Sequence, residues 1–456
     1  MSAAPYPDRP VLVAGAGVSG VAVTEVLLRL GAQVTVTDRA PSARTEALAA
    51  LGARISTGLG EVPPGIDQVV TSPGWRPDHP LLLDAAGRGI EVIGDVELAW
   101  RLRESPAGRP PAPWLAVTGT NGKTTTVEML AGMLRAAGYR AVAAGNIGLP
   151  LVRAVCDPEP YEVLAVELSS FQLHWSSTVA PVAAAILNLA PDHLDWHGSM
   201  AAYAADKAKV LAPGTLAVHN ADDAWSRRLA AGRAGAGFTL GPPAAGQLGV
   251  ARGALLDRAF GEGEFATVGD LPVVGPHNVA NALAAAALAF SYGVPSGAVS
   301  AGLAGFRTGP HRNAAVRSVG GITYVDDSKA TNPHAAAASL GAYDRVVWIA
   351  GGLLKGADVD DLVAGAAPRL AGVVLLGADR AVLGAALARH APDVPVVEVH
   401  RADHGAMSDA VAAASLLARR GDVVLLAPAA ASMDMFTDYA ARGAAFADAV
   451  HALGEG

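Results

Sequence analysis

The chain has 456 residues, of which 51% are hydrophobic and 17% charged, and its formal net charge at pH 7 is −8. This length suits about three domains with large buried cores. The acidic balance and the lack of a Lys/Arg run argue against nucleic acid as a partner, because binding to a phosphate backbone needs a basic face. The single cysteine, Cys156, rules out an intrachain disulfide and fits a reducing compartment.

The first ten residues lack a basic segment followed by an apolar one, so no signal peptide is predicted. The uncharged stretch 278–306 is long enough to be tested as a membrane span. It contains Asn278, Asn281 and Pro295, and two helices broken near Gly293 explain it better than a bilayer helix does. We therefore expect a cytoplasmic protein without a membrane span.

Residues 11–104 alternate apolar runs with helical patterns, which predicts a doubly wound parallel sheet. The predicted strands lie at 11–17, 33–38, 68–74 and 90–95. The turn from Gly15 to Gly20 has the pattern G-x-G-x-x-G, and Asp38 ends the next strand. This pattern is typical of a dinucleotide site, but a nucleotide-sugar diphosphate would use the same loop. Some loops of this kind only pack a helix tightly, so the residues alone leave NAD open.

The segment 105–113 is rich in proline and indicates a linker. Two alternating units follow it. In the central unit, strands are predicted at 114–117, 139–146, 161–170, 182–188 and 215–220, an antiparallel hairpin at 251–257 and 263–268, and a helix at 275–290. In the last unit, strands are predicted at 322–327, 345–352, 372–377, 394–399 and 422–428.

A phosphate-binding loop is the strongest local motif. Residues 118–126, TGTNGKTTT, lie between an apolar run and a helical pattern. The backbone N–H groups of such a turn and the following helix N-terminus favour phosphate. Lys123 would reach the β- and γ-phosphates, and the Thr124 hydroxyl would contact Mg²⁺. Gly122 fits the general pattern G-x-x-x-x-G-K-[ST], whereas Val117 occupies the position of its first glycine.

Potential metal ligands follow two of the central strands. Glu167 ends one strand, where carboxylates face the ligand crevice and can hold Mg²⁺, although such an acid can also cap a turn. His193 and His197 are four residues apart, but the H-E-x-x-H arrangement of zinc sites is missing. A divalent metal shared with ATP phosphates is the better hypothesis for His193. His197 and Asp195 are interpreted as solvated or structural.

Two lysines lie on the next predicted helix, and three polar loops lie in the last unit. From the residues alone, Lys207 and Lys209 are interpreted as surface lysines beside Asp206. The three loops follow predicted strands and carry DDSKATNPH at 326–334, Lys355, and Ser432 with Tyr439. Together they would form a crevice of mixed charge that suits a small zwitterionic or dicarboxylic substrate. Each loop taken singly is equally consistent with ordinary turn chemistry.

Taken together, these motifs resemble the Mur ligases, the ATP-dependent amide-forming enzymes of peptidoglycan precursor synthesis. The resemblance covers nearly the whole chain in order. It rests on GTNGKTT at 119–125, GNIG at 145–148, ELSSFQL at 167–173, NLAPDHLD at 188–195, YAADKAKV at 203–210, HNVANALAA at 277–285 and PHR at 310–312. Two further features, SPG at 72–74 with GDVEL at 94–98, and DDSKATNP at 326–333, resemble the branch that adds D-glutamate to UDP-N-acetylmuramoyl-L-alanine.

The resemblance implies an α/β fold of three domains, each built on a mainly parallel sheet. These are a Rossmann-like UDP-sugar-binding domain at 1–108, a P-loop ATP-binding domain at 109–308 and a Rossmann-like glutamate-binding domain at 309–456. It implies ATP, two Mg²⁺ ions, an acyl-phosphate intermediate and a carbamylated Lys207 whose carbamate supplies oxygen ligands. It makes NAD a poor candidate, and we expect a monomer.

The resemblance also assigns residues by position. It assigns catalysis to Lys123, Glu167, His193 and Lys207, and it assigns the binding of the metal ions to Thr124, Glu167, His193 and carbamylated Lys207. ATP falls to Gly119, Thr120, Asn121, Gly122, Lys123, Thr124, Thr125, Asn281, Arg312 and Asp327. The UDP-sugar falls to Val18, Ser19, Gly20, Asp38, Ser72, Gly74 and Asn146. Glutamate falls to Lys329, Thr331, Lys355, Ser432 and Tyr439, although many relatives have Phe at the position of Tyr439.

Three alternatives stay open at this point. A folylpolyglutamate synthase would catalyse a similar ligation without depending on a UDP-sugar. An NAD-dependent dehydrogenase built on the first domain would leave the phosphate loop unexplained. A nucleotide-binding regulator without catalysis would not account for the intact Lys123, Glu167 and His193.

Overall fold

The computed structural model describes residues 6–103, 110–261, 263–273, 275–307, 309–403 and 405–454. These residues form two compact units. The first contains the described residues up to Leu189 together with 193–270 and 280–306, and the second contains 190–192, 271–279 and the described residues from Arg307 onward. Residues 105–109 of the predicted linker lie outside the described residues. The predicted ends of the first two domains, residues 108 and 308, are not described either.

The first unit begins with a five-stranded parallel sheet in the order β3-β2-β1-β4-β5. Its strands are β1 (Pro10–Ala14), β2 (Gln33–Thr37), β3 (Arg54–Ile55), β4 (Gln68–Thr71) and β5 (Glu91–Gly94), and its helices are α1 (Val18–Arg29), α2 (Ala43–Ala50), α3 (Pro80–Gly87) and α4 (Asp95–Leu102). The four predicted strands are confirmed, and β3 was too short to show a pattern. Because β1 lies between β2 and β4, the turn after β1 lies where the strand order reverses, which is the usual ligand position in such sheets.

The second sheet of this unit has nine strands in the order β14-β13-β12-β11-β10-β9-β6-β8-β7. They are β6 (Trp114–Thr118), β7 (Ala141–Gly145), β8 (Val163–Glu167), β9 (Ala183–Ile186), β10 (Leu216–Asn220), β11 (Gly235–Phe238), β12 (Gln247–Ala251), β13 (Ala254–Asp257) and β14 (Gly263–Thr267). The helices that lie between β6 and β11 in the sequence are α5 (Lys123–Ala136), α6 (Leu151–Val155), α7 (Ser170–His174), α8 (Leu194–His197), α9 (Met200–Ala208) and α10 (Ala224–Ala230).

In the second sheet, strand pairing places the carboxyl ends of β6, β8 and β9 side by side, and potential ligand residues lie at or after each of these ends. β6 pairs in parallel with β8, with Val117 opposite Glu167, and with β9, with Thr118 opposite Ile186. The turn after β6 is therefore flanked by the carboxyl ends of β8 and β9. The predicted antiparallel pairing of β13 with β14 is confirmed. Sequence analysis did not predict β11 and β12, which are short and contain glycine.

The uncharged stretch that was tested as a membrane span forms two helices. They are α11 (Pro276–Ser291) and α12 (Ser296–Ala304), and the break lies at the predicted position. In the described part of the chain, no helix is long and apolar enough to cross a bilayer.

The second unit contains a six-stranded sheet in the order β15-β16-β20-β17-β18-β19. Its strands are β15 (Ala314–Val319), β16 (Ile322–Asp326), β17 (Val346–Gly351), β18 (Leu370–Leu376), β19 (Val396–Glu398) and β20 (Val423–Leu426), and its helices are α13 (Pro333–Leu340), α14 (Asp360–Ala366), α15 (Arg380–His390), α16 (Ala406–Leu417) and α17 (Tyr439–His451). Only the edge strand β15 pairs antiparallel among these described strands. The adjacent order of β16, β20 and β17 brings the three predicted substrate loops to one edge.

Candidate active site

The turn between β6 and α5 has the backbone of a phosphate-binding loop. Gly119 and Gly122 have φ values of +154° and +87°, a region that residues with side chains rarely adopt. A Cβ atom at Gly122 would lie 2.3 Å from Asn281 Oδ1, and one at Gly119 would lie 3.1 Å from Leu187 Cβ. The N-cap of α5 is Gly122, which has no side chain, so no capping side chain competes with an anion for this helix N-terminus.

The loop is held by Asn188, to which sequence analysis gave no separate role. Thr120 N donates to Asn188 O at 2.9 Å, and Asn121 N donates to Asn188 Oδ1 at 2.9 Å. Asn188 Nδ2 donates in turn to Asn121 O at 3.1 Å. The Thr120 hydroxyl also hydrogen-bonds with the Tyr203 hydroxyl at 3.0 Å. The only sequence signal for Asn188 is its place at the start of the motif NLAPDHLD.

Two lysines donate to the same loop carbonyl. Lys123 Nζ donates to Gly119 O at 2.9 Å and to Thr120 O at 2.8 Å. Lys207 Nζ donates to Gly119 O at 2.8 Å and to Thr118 Oγ1 at 3.3 Å. Lys207 is 1% exposed, so its interpretation as a surface lysine from the residues alone is wrong. The loop is therefore contacted by a second lysine that its own sequence does not contain.

Glu167 provides a buried carboxylate at the end of the strand beside the loop. It is 1% exposed, and its Oε1 accepts a hydrogen bond from Asn146 Nδ2 at 2.8 Å. Its Oε2 is buried and accepts no hydrogen bond from the described residues. A buried carboxylate oxygen without a partner is costly, and a divalent cation or a water bound to it would satisfy it. The residues present therefore fit Mg²⁺. Asn146, predicted for the UDP-sugar, contacts this carboxylate.

The remaining residues predicted for ATP in this unit lie around the same turn. Thr124 is buried in the first turn of α5, and Thr125 follows it half-buried. Asn281, which is 6% exposed, directs Oδ1 toward Gly122. The structure thus brings Asn281 of α11 to the loop, as predicted from the motif.

His193 lies in a left-handed backbone conformation, with φ of +55°, immediately before α8. Its ring packs on Phe171, with the ring centroids 4.7 Å apart. His197, at the end of α8, stacks on the same phenylalanine at 5.6 Å. Across the part of the chain that is described, no group of three or more His, Cys, Asp or Glu side chains is placed to hold a metal ion.

Asp206 of α9 is surrounded by polar side chains. His174 Nδ1 and His197 Nδ1 lie 2.9 and 3.0 Å from Asp206 Oδ2, and Lys209 Nζ lies 2.9 Å from Asp206 Oδ1. Burial alone would raise the pKa of Asp206, but the hydrogen bonds from His174 and Lys209 hold it below its usual range. His197 Nε2 hydrogen-bonds with Ser170 Oγ at 3.0 Å. The structural interpretation of His197 is correct, and Lys209 faces away from the phosphate loop.

The turn after β1 is a second candidate phosphate site. Ala16 N and Arg39 N donate to the two oxygens of Asp38, each at 2.7 Å. A Cβ atom at Gly20 would lie 1.7 Å from Gly15 O, so the turn needs glycine there. Ser72 Oγ lies 3.5 Å from Gly15 O.

Around this turn, Val18 is a 66% exposed side chain at the start of α1, Ser19 is half-buried in the same turn, and Gly74 is exposed in the loop after β4. The predicted UDP-sugar residues of the first sheet therefore lie around one turn.

Helix α4 joins the two sheets of the first unit. Gly94 N donates to Trp175 O at 3.0 Å. Glu97 is fully buried and accepts from Ser177 N at 2.9 Å, from Thr178 N at 3.0 Å and from Arg101 Nε at 2.9 Å. Gln172 Nε2 donates to Asp95 at 3.3 Å. The motif GDVEL, identified only by resemblance, is thus an anchoring segment between the two sheets.

In the second unit, the loop after β16 carries two acidic residues with different partners. Asp326 is buried and lies 2.6 Å from His311 Nδ1. Asp327 Oδ1 accepts from Asn313 N at 3.1 Å. Burial raises the pKa of Asp327 to about 6, partly offset by its hydrogen bonds. Arg312, predicted for ATP, is half-buried in the segment before β15.

The three predicted substrate loops are hydrogen-bonded to one another. Ala429 N donates to Ala330 O at 2.9 Å, which joins the loops after β20 and β16. Leu353 and Ala431 exchange two backbone hydrogen bonds of 2.9 Å, which join the loops after β17 and β20.

The residues predicted for glutamate lie on these loops and on α17. Lys329 Nζ is 4.9 Å from the centroid of the Tyr439 ring. Thr331 is half-buried, Lys355 is exposed with a φ of +54°, and Ser432 is buried. The five predicted residues therefore lie on segments that meet at one edge of the third sheet.

Three family models match the chain in succession. "Mur ligase MurD-like, N-terminal domain" matches residues 9–94, "Mur ligase middle domain" matches 117–289, and "Mur ligase, glutamate ligase domain" matches 311–430. Among curated relatives, the UDP-N-acetylmuramoylalanine–D-glutamate ligase of Thermobifida fusca is 59% identical, covering 98% of each chain. The enzyme of the same name from Streptomyces coelicolor is 56% identical, covering 98% of this chain and 99% of its own.

Solved structures show the same fold at lower identity. UDP-N-acetylmuramate-alanine ligase MurC from Thermotoga maritima is 21% identical, with a TM-score of 0.61 over 97% of this chain and 99% of that one. MurF from Acinetobacter baumannii is 16% identical, with a TM-score of 0.62 over 97% of this chain and 93% of that one. The predicted three-domain α/β fold is confirmed.

Proposed function

The chain belongs to the Mur ligase family, and we propose that it joins the amino group of D-glutamate to the L-alanyl carboxylate of UDP-N-acetylmuramoyl-L-alanine, with ATP as phosphoryl donor. One observation carries the proposal: a glycine-lined phosphate loop with Lys123 and Lys207 on one carbonyl, flanked by the buried Glu167. The relatives named for D-glutamate addition are 59% and 56% identical to this chain and support the choice of amino acid.

The chemistry requires an activated acyl group, because a carboxylate is a poor acyl donor at neutral pH. ATP transfers its γ-phosphoryl group to the L-alanyl carboxylate and gives an acyl phosphate and ADP. The uncharged amine of D-glutamate attacks the acyl carbon, and phosphate leaves from the tetrahedral intermediate as the amide forms. Lys123 exchanges its loop carbonyls for phosphate oxygens when ATP binds, and the N-terminus of α5 stabilises charge on the same group.

The family uses ATP with Mg²⁺, and the unpartnered Oε2 of Glu167 is a fitting ligand atom. We assign two ions to Thr124, Glu167, His193 and the carbamate of Lys207. When bound, they offset negative charge on the transferring phosphoryl group. Lys207 is buried against the loop, and burial disfavours the ammonium form, whereas the neutral amine is the form that reacts with CO₂.

The remaining assignments follow the three domains proposed for residues 1–108, 109–308 and 309–456. The first holds the UDP-sugar by the turn after β1 with Asp38, Ser72 and Gly74, while Asn146 of the second domain orients Glu167 and meets the sugar. Asn281, Arg312 and Asp327 line the ATP site. Glutamate is held by Lys329, Thr331, Lys355, Ser432 and Tyr439. We expect a cytoplasmic protein, since both the nucleotide and the amino-acid substrates are cytoplasmic metabolites, and we expect a monomer.

The decisive experiment measures phosphate release with ATP, Mg²⁺ and UDP-N-acetylmuramoyl-L-alanine, adding either enantiomer of glutamate. We expect release with D-glutamate, none with L-glutamate, and none when the UDP-sugar is omitted. Release that does not need the UDP-sugar would favour a folylpolyglutamate synthase type of ligase. Isothermal calorimetry of the full chain provides a second readout, because NAD binding tighter than that of the UDP-sugar would restore the dehydrogenase alternative.

A further inference from the structure

Arg442 is a buried arginine that the proposed mechanism does not use. It lies in α17 and is 2% exposed. Its hydrogen bonds go to carbonyl oxygens and one hydroxyl: Nε to Ser328 Oγ at 3.0 Å, Nη2 to Ser328 O at 2.9 Å, and Nη1 to Ala430 O at 3.1 Å and to Gly351 O at 3.5 Å. Burial lowers the pKa of Arg442 to about 10, which still leaves the guanidinium charged at neutral pH.

The acceptors of Arg442 lie at or after the carboxyl ends of three different strands. Ser328 follows β16, Gly351 ends β17, and Ala430 follows β20. These strands are neighbours in the third sheet, so the guanidinium lies across three adjacent carboxyl ends. Ser328 Oγ also donates to Tyr439 O at 2.8 Å, which connects the start of α17 to the first loop.

Each of these loops carries a residue assigned to the amino-acid substrate. Lys329 follows Ser328 directly, Lys355 lies on the loop after β17, and Ser432 lies two residues after Ala430. A shift of one loop relative to the others would misplace these groups. Misplacement by about 1 Å is enough to lower activity about 100-fold when several groups must act together.

The geometry explains why arginine is needed here. A guanidinium is planar and has five N–H donors in a fixed fork, so one side chain can reach carbonyls on separate loops. A lysine ammonium is a point charge and cannot span the same acceptors. Removing the donors would take these hydrogen bonds away from three backbone carbonyls of buried residues.

We propose that Arg442 is a positioning residue for the amino-acid site, which fixes the loops after β16, β17 and β20 relative to one another without touching the substrate. The identity of the amino acid, D-glutamate, rests on the proposed function. A role confined to stability predicts a lower melting temperature with unchanged substrate preferences. A positioning role predicts a selective loss of affinity for the amino acid.

The test compares Arg442→Lys and Arg442→Met with the wild type and with Arg345→Ala as a matched control. Arg345 Nε pairs with Asp422 Oδ1 at 2.8 Å, and both residues lie at the opposite, amino edge of the same sheet. We expect both Arg442 variants to raise KM for D-glutamate at least tenfold while KM for ATP and for the UDP-sugar stays within about twofold. The control should keep all three KM values within about twofold.

Several results would overturn the proposal. They are a wild-type KM for D-glutamate in Arg442→Lys, an equal rise of all three KM values, or a fall in melting temperature alone. If neither Arg442 variant folds, Ser328→Ala takes their place, because it removes the acceptor of Nε and the bond to Tyr439. An unchanged KM for D-glutamate in that variant would be equally damaging.

A second readout separates this inference from the proposed function. Backbone amides in 326–332, 351–355 and 429–432 should exchange hydrogen at least tenfold faster in Arg442→Lys, or in Ser328→Ala, but not in Arg345→Ala. A wild-type enzyme without D-glutamate-dependent phosphate release would refute the function. Unchanged exchange in these loops would refute the positioning role whether or not the wild type is active.

Discussion

Lys207 gives the most informative perturbation of the phosphate loop. Lys207→Met removes the amine but keeps a long apolar side chain in the buried site. It therefore eliminates the hydrogen bonds to Gly119 O at 2.8 Å and Thr118 Oγ1 at 3.3 Å with little change in packing. Lys209→Met is the matched control, because Lys209 is 39% exposed and binds Asp206 on the other side of α9.

Two mechanisms predict different magnitudes for Lys207→Met. If the amine only supports the loop, the loss of one hydrogen bond from a charged donor is worth about 1.5–3 kcal/mol, or about 10- to 150-fold in turnover. If the side chain is a carbamate, Lys207→Met replaces one negative charge by a neutral group, and one unit of charge at 4 Å is worth about 4 kcal/mol at an effective dielectric constant of about 20. We therefore expect a loss of at least about 1,000-fold.

The assay is ATP-dependent phosphate release in wild type, Lys207→Met, Lys207→Ala and Lys209→Met. Added formate or acetate should partly restore Lys207→Ala, in which space for the carboxylate exists, but not Lys207→Met. A ¹³C carbamate resonance should appear in wild type under ¹³CO₂ and be absent from both Lys207 variants. The carbamate assignment is wrong if the turnover of Lys207→Met falls by less than about 150-fold, which is the range that loop support alone explains, or if the two lysine positions behave alike.

Three further predictions concern separate parts of the molecule. Lys123→Ala should lower turnover by several orders of magnitude with an unchanged melting temperature, measured by phosphate release and calorimetry. Burial alone would raise the pKa of Glu97, but hydrogen bonds from Thr178, Ser177 and Arg101 together hold it below its usual range. The stabilisation from Glu97 is therefore present above its unfolded pKa and lost in acid, and Glu97→Gln should cost about 3 kcal/mol in urea unfolding at pH 7. Because the pKa of Asp327 rises from 3.8 to about 6, the free energy of unfolding falls as pH rises through this window. Asp327→Asn should remove this pH dependence and stabilise the fold at pH 7 by about 1 kcal/mol.

The residues that sequence analysis located best are those at strand ends. Glu167 and the turn 118–126 were placed correctly because an apolar run fixes the strand, and the chain direction then fixes which end carries the ligand groups. The same logic predicted the loops after β16, β17 and β20. This inference does not require knowing which strands are neighbours in the sheet.

Lys207 was misjudged although a signal existed. Tyr203 and Lys207 are four residues apart on α9, and the two residues lie on the same buried face of that helix. The interpretation as a surface lysine relied on the charge of Lys207 and not on the helical periodicity, which places this residue on an apolar face. Asn188 differs, because its contacts with Thr120 and Asn121 depend on β9 pairing beside β6, which no local pattern reveals.

The half-exposed edge strand β15 also escaped prediction. Its sequence, AAVRSV, has no buried residue and alternates weakly, since only one of its edges is paired. Edge strands of this kind owe their conformation to a partner and not to their own hydrophobic pattern.

The junction made by α4 gives the first unit a mechanistic logic. Transfer of a phosphoryl group to a carboxylate requires the two reactants at a fixed separation, and effective concentration falls steeply when that separation fluctuates. The turn after β1 and the turn after β6 belong to different sheets, so each could bind its ligand correctly and still fail to align them. Glu97, buried and hydrogen-bonded to Ser177 and Thr178, removes that freedom.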